Sequence, residues 1–186
     1  ERLAEFRPDI VVHLAALSSV AAAANEGHEI MAFNLGGTLR LARAFRAASH
    51  KAAFVFASSG EVYGKSFLNG VVDEATALQP GNAYARSKAA AEYALSDMLG
   101  TLVPVVLLRL FNHTGPGQLD RFMVSSFAKQ VAAIKLGKQA PQISVGNLEV
   151  KRDISDVSDI VRGYREAVVN GKRGSVPPSF FKKSER

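Results

Sequence analysis

The sequence predicts an α/β fold built on a doubly wound parallel sheet. Three observations lead there. Short apolar runs of strand length alternate with longer segments whose apolar residues recur at helical spacing. The strand-like runs are apolar almost throughout, as strands covered on both faces must be. Their order (strand, helix, strand, helix, strand) lets each strand lie parallel to the next across a helical connection.

The first strand is expected in "DIVVHLAA" (9–16). Residues 27–48 follow as a helix, with Ile30, Phe33, Leu39, Leu41, Ala42 and Phe45 at helical spacing. "AAFVFAS" (52–58) is the second strand, and the polar loop 64–82, with Gly64, Gly70, Pro80 and Gly81, is expected near substrate. A helix over 83–99 and a third buried strand, "VPVVLLRL" (103–110), come next. After a Gly-Pro-Gly turn at 115–117 the reading gives an amphipathic helix (122–136), a short strand pair near "QISVGNLEV" and a final helix (156–170). Asp156 and Asp159 suit the start of that last helix as caps, and Phe111, Phe122 and Phe127 are read as core. Three parts are expected: 1–118 as a dinucleotide-binding portion, 119–171 as a substrate-binding portion with the last helix, and 172–186 as a disordered basic tail.

Composition narrows the function classes. Of 186 residues, 47% are hydrophobic and 22% charged, the balance of a soluble globular domain. No apolar run approaches the roughly 20 residues of a membrane span, and no signal peptide precedes the first strand, so a cytoplasmic protein without a membrane partner is expected. The sequence has no cysteine, which excludes disulfides and thiolate metal sites and fits a reducing compartment. His13, His28, His50 and His113 lack metal-ligand spacing, and no metal is expected. The net charge of +6 is concentrated in the tail, where five basic residues face one Glu from Lys172 onward. The body is left with an ordinary charge, so no nucleic-acid partner is expected.

The pattern richest in chemistry is "YARSK" (84–88) downstream of "ASSGEVYG" (57–64). Tyr84 and Lys88, four residues apart, project from one side of a helical turn. An ammonium fixed beside a phenol favours the phenolate, so the Tyr84 pKa is expected to fall below its ordinary value of about 10. Such a phenol can exchange a proton at a sugar or ketone oxygen. Ser59 ends the apolar run 53–59, where its hydroxyl can reach the same oxygen.

With these motifs, and with "PDIVVHLAA" (8–16), "NLGGT" (34–38), "RLFNHTGPGQ" (109–118) and "GNLEVKRDISDVSDIV" (146–161), the chain resembles the extended short-chain dehydrogenase/reductase family from about Pro8 to Asn170. The resemblance implies a Rossmann-type sheet, NADP or NAD as cofactor and a nucleotide-sugar substrate. It implies Tyr84 as general acid, Ser59 as its hydrogen-bonding partner on the substrate oxygen, and Lys88 as the residue that holds the nicotinamide ribose. Glu61 falls where the family's dehydratases carry the base that removes a C5 proton; solvating a loop is its alternative. His13, Ala15 and Asn34 fall at cofactor-side positions, although a lone His after a strand is also a common structural residue. Asn112 and Arg152 match substrate-holding positions, with a pairing of Arg152 to Asp153 or Glu149 as the alternative. The alanine-rich helix at 83–95 matches one that forms a two-fold dimer with its neighbour in this family.

No Gly-x-x-Gly-x-x-Gly turn follows a strand in this sequence, and the family carries that turn before "DIVVHLAA", so the sequence reads as a fragment. The last two motifs lean toward the GDP-sugar branch, and within it toward NADPH-dependent reduction of GDP-4-keto-6-deoxy-D-mannose at C4. Dehydration of GDP-mannose, 4-epimerisation of a UDP-sugar, and a non-catalytic fragment or binding member of the fold stay open.

Overall fold

A computed structural model describes residues 2–17, 27–48 and 52–170, with the basic tail outside them. A short helix, α1 (Arg2–Phe6), precedes β1 (Ile10–His13). Next come α2 (Gly27–Ala47), β2 (Ala53–Ala57), a 3-10 segment (Gly60–Asn69), α3 (Ala83–Leu99) and β3 (Val105–Leu108). The chain closes with β4 (Asn112–Thr114), α4 (Met123–Lys135), β5 (Ile154–Asp156) and α5 (Val157–Asn170). It divides into two units, residues 1–110 with 163–186, and residues 111–162.

The first unit is organised by a three-stranded sheet in the order β1-β2-β3. Both pairings are parallel, with His13 opposite Phe56 and Phe56 opposite Leu107. Side chains alternate between the faces of a strand, so β2 sends Phe54 and Phe56 one way and Val55 the other. Phe54, Phe56 and Val105 pack with Ala42 and Phe45 of α2 and with Ala91, Leu95 and Leu99 of α3. Val55, Val106 and Leu108 pack against Tyr164, Ala167 and Val168 of α5. Helices therefore cover both faces, the doubly wound parallel arrangement expected from the apolar runs. At β1, Val11 packs toward α2 and α3, while Ile10 and Val12 are exposed.

The buried stripe of α2 differs from the apolar pattern that predicted the helix. It runs Ile30, Asn34, Thr38, Ala42 and Phe45, whereas Phe33 is half exposed. Two polar residues thus take core positions, and both are satisfied by hydrogen bonds, as burial of polar groups requires.

In the second unit β4 and β5 pair in parallel, with Asn112 opposite Ile154 and Thr114 opposite Asp156. The expected strand pair near 142–150 is not formed; those residues are irregular. The reason is local. Gln130 of α4 accepts from the Ser144 amide at 2.7 Å and donates to its carbonyl at 3.1 Å, supplying both bonds that a strand partner would give. Gln118 acts similarly after the Gly-Pro-Gly turn, accepting from Thr114 Oγ1 and Ser125 Oγ and donating to the His113 carbonyl. Gly115 lies so close to Val157 that a Cβ would sit 2.3 Å from its Cγ1. Phe111, Phe122 and Phe127 are half-buried, not core. Asp156 accepts from the Ser158 amide at 2.7 Å at the start of α5, and Asp159 pairs with Arg162.

Phe54 is fully buried and meets the Phe45 ring edge-on at 5.3 Å between centroids. Phe54→Ala should destabilise the protein by about 3–5 kcal/mol in urea unfolding. A loss under about 1 kcal/mol, against the same expectation, would show that the face between β2 and the α2–α3 pair is not the core.

Candidate active site

In a parallel sheet with helices on both faces, the carboxyl ends of the strands are where ligand-binding groups converge. The first unit gathers its polar buried residues there. Beyond β2, Ser58 and Ser59 are buried, and Ser59 caps the 3-10 segment by accepting from the Glu61 amide at 3.2 Å. Gly64 takes a left-handed φ of 48° and lies against Gln79, where a Cβ would come within 2.0 Å of the carbonyl oxygen. Lys65 donates to that oxygen and Gln79 donates to the Val62 carbonyl, so segment and loop hold each other.

Asn82 starts α3, its side chain accepting from the Ala85 amide at 2.8 Å. The alanines that follow favour the helix and let α2 and α3 approach closely. Tyr84, Lys88 and Glu92 then fall at i, i+4 and i+8, along one side of α3. Lys88 is almost wholly buried; its Nζ donates to the Ala57 carbonyl at 2.6 Å and lies 4.8 Å from the Phe56 ring centroid and 5.9 Å from that of Tyr84.

The expected fall in the Tyr84 pKa is not found. Burial raises it, a hydrogen bond with the Ser59 hydroxyl pulls it back, and the nearby Glu61 carboxylate pushes it up again. The Lys88 amine donates one of its N–H groups to the Ala57 carbonyl and is itself depressed to about 8 by burial, which the Glu92 carboxylate opposes. The two sequence positions gave the correct face of the helix but not the price of taking both groups out of water.

The structure brings Ser59, Glu61, Tyr84 and Lys88 together. Asn34 is tied to this group: its Nδ2 donates to Ser87 Oγ at 3.0 Å, and Ser87 donates to the Tyr84 carbonyl at 2.7 Å. Asn34 also clamps the backbone beyond β1, accepting from the Leu17 amide and donating to its carbonyl. His13 is buried, pairs with Thr38 Oγ1 at 2.9 Å, and has its pKa lowered by burial and by the Lys88 charge. Ala15 is exposed just past β1. Asn112 and Arg152 lie in the second unit, both exposed; Asn112 opens β4 opposite Ile154, two residues after Arg152.

Three residues of the site escaped the sequence reading: Ser58, Glu92 and Arg109. Glu92 is buried, and Arg109 donates to both its carboxylate oxygens, the shortest contact being 2.8 Å. A signal was present, since Glu92 continues the Tyr84–Lys88 spacing by one more turn. Arg109 offered none, because its partner is seventeen residues away.

Among the described residues no cluster of His, Asp or Glu could hold a metal, and no helix is long and apolar enough to cross a membrane. The donor set does fit a dinucleotide. Lys88 has three N–H groups and makes one hydrogen bond among the described residues, leaving donors for ribose hydroxyls.

Comparison with known proteins agrees. Residues 1–176 match the family model described as GDP-mannose 4,6 dehydratase. The chain is 38% identical over 171 residues to GDP-6-deoxy-D-mannose reductase of Pseudomonas aeruginosa, covering 91% of this chain and 56% of that protein. It is 32% identical to mouse (Mus musculus) dTDP-D-glucose 4,6-dehydratase, covering 90% and 46%. The structure of RMD from Pseudomonas aeruginosa, complexed with NADPH, superposes with a TM-score of 0.86 at 38% identity, over 91% of this chain and 58% of that one. The chain spans about half the length of the curated relatives it matches. It belongs to the GDP-mannose 4,6-dehydratase family, among the NAD-dependent epimerases and dehydratases of the short-chain dehydrogenase/reductase class.

Burial of the Lys88 amine makes a prediction. Its folded pKa of about 8 lies below the ordinary 10.5, so between those values the unfolded chain binds more protons than the folded one. Stability therefore rises with pH across that window, and the penalty is fully present below it. A [13Cε]lysine NMR titration, with the signal assigned by Lys88→Met, should give a midpoint near 8. A midpoint at the ordinary lysine value would contradict the buried placement.

Proposed function

We propose that this member of the family carries the proton-transfer site of a sugar-nucleotide oxidoreductase, and that its reaction is the NADPH-dependent reduction of GDP-4-keto-6-deoxy-D-mannose at C4. The observation that supports this most is Tyr84: a phenol whose pKa the neighbouring Ser59 hydroxyl lowers against the effect of burial, with Lys88 one turn on, at the carboxyl edge of a parallel sheet. The identity to a GDP-6-deoxy-D-mannose reductase supports the substrate.

Bound NADPH would supply the hydride. Tyr84 delivers a proton to the C4 oxygen as negative charge develops there. Its raised pKa keeps the phenol protonated at neutral pH, which suits an acid in the reductive direction. Ser59 donates a hydrogen bond to the same oxygen. Lys88 holds the nicotinamide ribose with the N–H groups left over from Ala57, and the buried Asn34 fixes the turn of α3 that carries Tyr84 through Ser87. His13 and Ala15 line the cofactor side at the end of β1. Asn112 and Arg152 of the second unit bind the nucleotide sugar, Arg152 offering a planar fork to phosphate. The first unit serves the dinucleotide and the second the sugar. The protein works in the cytoplasm, to which its cysteine-free sequence is suited, and dimerises through α2 and α3, which expose Phe33 and Tyr93.

One observation favours a second reading, GDP-mannose 4,6-dehydration. Glu61 is exposed yet close enough to raise the Tyr84 pKa, so a carboxylate stands beside the acid where a C5 base would be needed.

Redox accounting separates the two. A reductase consumes one NADPH per product, whereas a dehydratase returns its hydride to the sugar. The complete enzyme that contains this chain should oxidise NADPH stoichiometrically with GDP-4-keto-6-deoxy-D-mannose, whereas the chain by itself should turn over little. In the complete enzyme Tyr84→Phe should lower kcat by roughly 10²–10⁴-fold, and Glu61→Gln should slow turnover only modestly. Conversion of GDP-mannose without net NADPH loss, abolished by Glu61→Gln, would establish the dehydratase instead.

A further inference from the structure

Outside the Ser59–Tyr84–Lys88 group, a side chain of the first unit that accepts four hydrogen bonds is Glu92. It is 2% exposed and has no role in the proton transfer described above. Its Oε1 accepts from the Ser58 hydroxyl at the end of β2. Both its oxygens accept from Arg109 Nε, at 3.2 and 3.1 Å, and Oε2 accepts from Arg109 Nη2 at 2.8 Å. The remaining arm of the guanidinium, Nη1, donates to the Tyr63 hydroxyl at 3.1 Å and to the Glu74 carbonyl at 3.2 Å. The guanidinium also lies 5.2 Å from the Tyr63 ring centroid.

These contacts join the end of β2, the 3-10 segment, the loop after it and the end of β3 to a single carboxylate on α3. Ser59 and Glu61 lie between the tied residues Ser58 and Tyr63, while Tyr84 and Lys88 lie on the helix that carries Glu92. The network therefore sets the distance between the two halves of the site. A planar fork bonded on three sides has little freedom to let either half drift.

We infer that Glu92 is a positioning residue, which through Arg109, Ser58 and Tyr63 locks the Ser59–Glu61 segment in register with Tyr84 and Lys88. It acts in two ways. Mechanically, it fixes the segment from Ser58 to Glu74. Electrostatically, it is the carboxylate one turn from the buried Lys88 amine, whose other neighbours are the Tyr84 phenol on the same helix, His13 from β1, and the uncharged Phe56 ring and Ala57 carbonyl from β2. Among these, Glu92 is the group whose negative charge favours the ammonium form at neutral pH.

The inference rests on the reductase reading for its kinetic consequences, so the test pairs kinetics with readouts that need no turnover. In the full chain, Glu92→Gln keeps the side-chain shape and removes the charge. Hydrogen exchange at amides 60–76 should accelerate by about tenfold or more, as local opening becomes easier, while β2 and β3 keep wild-type protection. The Lys88 titration, and with it the alkaline limb of the kcat profile, should move to lower pH by about half a unit or more, with KM for NADPH little changed. Tyr63→Phe removes only a hydroxyl at the far end of the fork; it should accelerate exchange over the same amides but leave the Lys88 titration in place. A folded Glu92→Gln protein with wild-type exchange and wild-type Lys88 titration overturns the inference. If Glu92→Gln does not fold, wild-type exchange in Tyr63→Phe overturns it and faster exchange supports it. Absence of NADPH turnover in the unmodified complete enzyme would count against the reductase reading alone, because exchange and the Lys88 titration would still decide the role of Glu92.

Discussion

The rest of the site depends on one constraint: a lysine amine is held almost entirely out of water, beneath the carboxyl edge of a parallel sheet. A buried ammonium is costly unless hydrogen-bonded and balanced by charge. The Ala57 carbonyl supplies the bond and Glu92, one turn along α3, the balancing charge. That carboxylate in turn needs donors, which Arg109 and Ser58 provide. Each polar group buried to satisfy the last has fixed another piece of backbone. Through Arg109 the bonds extend on to the Tyr63 hydroxyl and the Glu74 carbonyl.

This arrangement explains why the site occupies the place it does. Alternating side chains of β2 send Phe54 and Phe56 into the α2–α3 layer and Val55 toward α5, so the strand is anchored on both sides. Ser58 and Ser59 follow directly from this packed strand and are themselves buried. Within the α2–α3 layer, Asn34 and Thr38 take positions in the buried stripe of α2 and use them to hold Ser87, Leu17 and His13. Apolar burial supplies the rigidity; the polar residues embedded within it supply orientation.

Much of this was legible in the sequence. The parallel sheet followed from continuous apolar runs, and the helix read at about 83–99 is the one that Asn82 caps at its start and Gly100 at its end. Tyr84, Lys88 and Ser59 were recognisable because helical and strand periodicity fix where they project. What could not be read was electrostatic or long-range. The direction of the Tyr84 shift depends on burial, which spacing does not report, so an expected fall became a rise. Arg109 meets Glu92 only through the fold. The strand pair expected near 142–150 failed because Gln130, twelve residues earlier than that stretch begins, bonds the backbone of Ser144 first.

The central claim is that Tyr84 serves as an acid while a hydride arrives at C4 of a keto sugar. Isotope transfer tests it most directly. With GDP-4-keto-6-deoxy-D-mannose and NADPH deuterated at the transferred position, the product examined by NMR and mass spectrometry should carry one deuterium, at C4. Product without deuterium, or with the label at C6, would contradict the account and make the Tyr84–Lys88 pair the instrument of a different reaction.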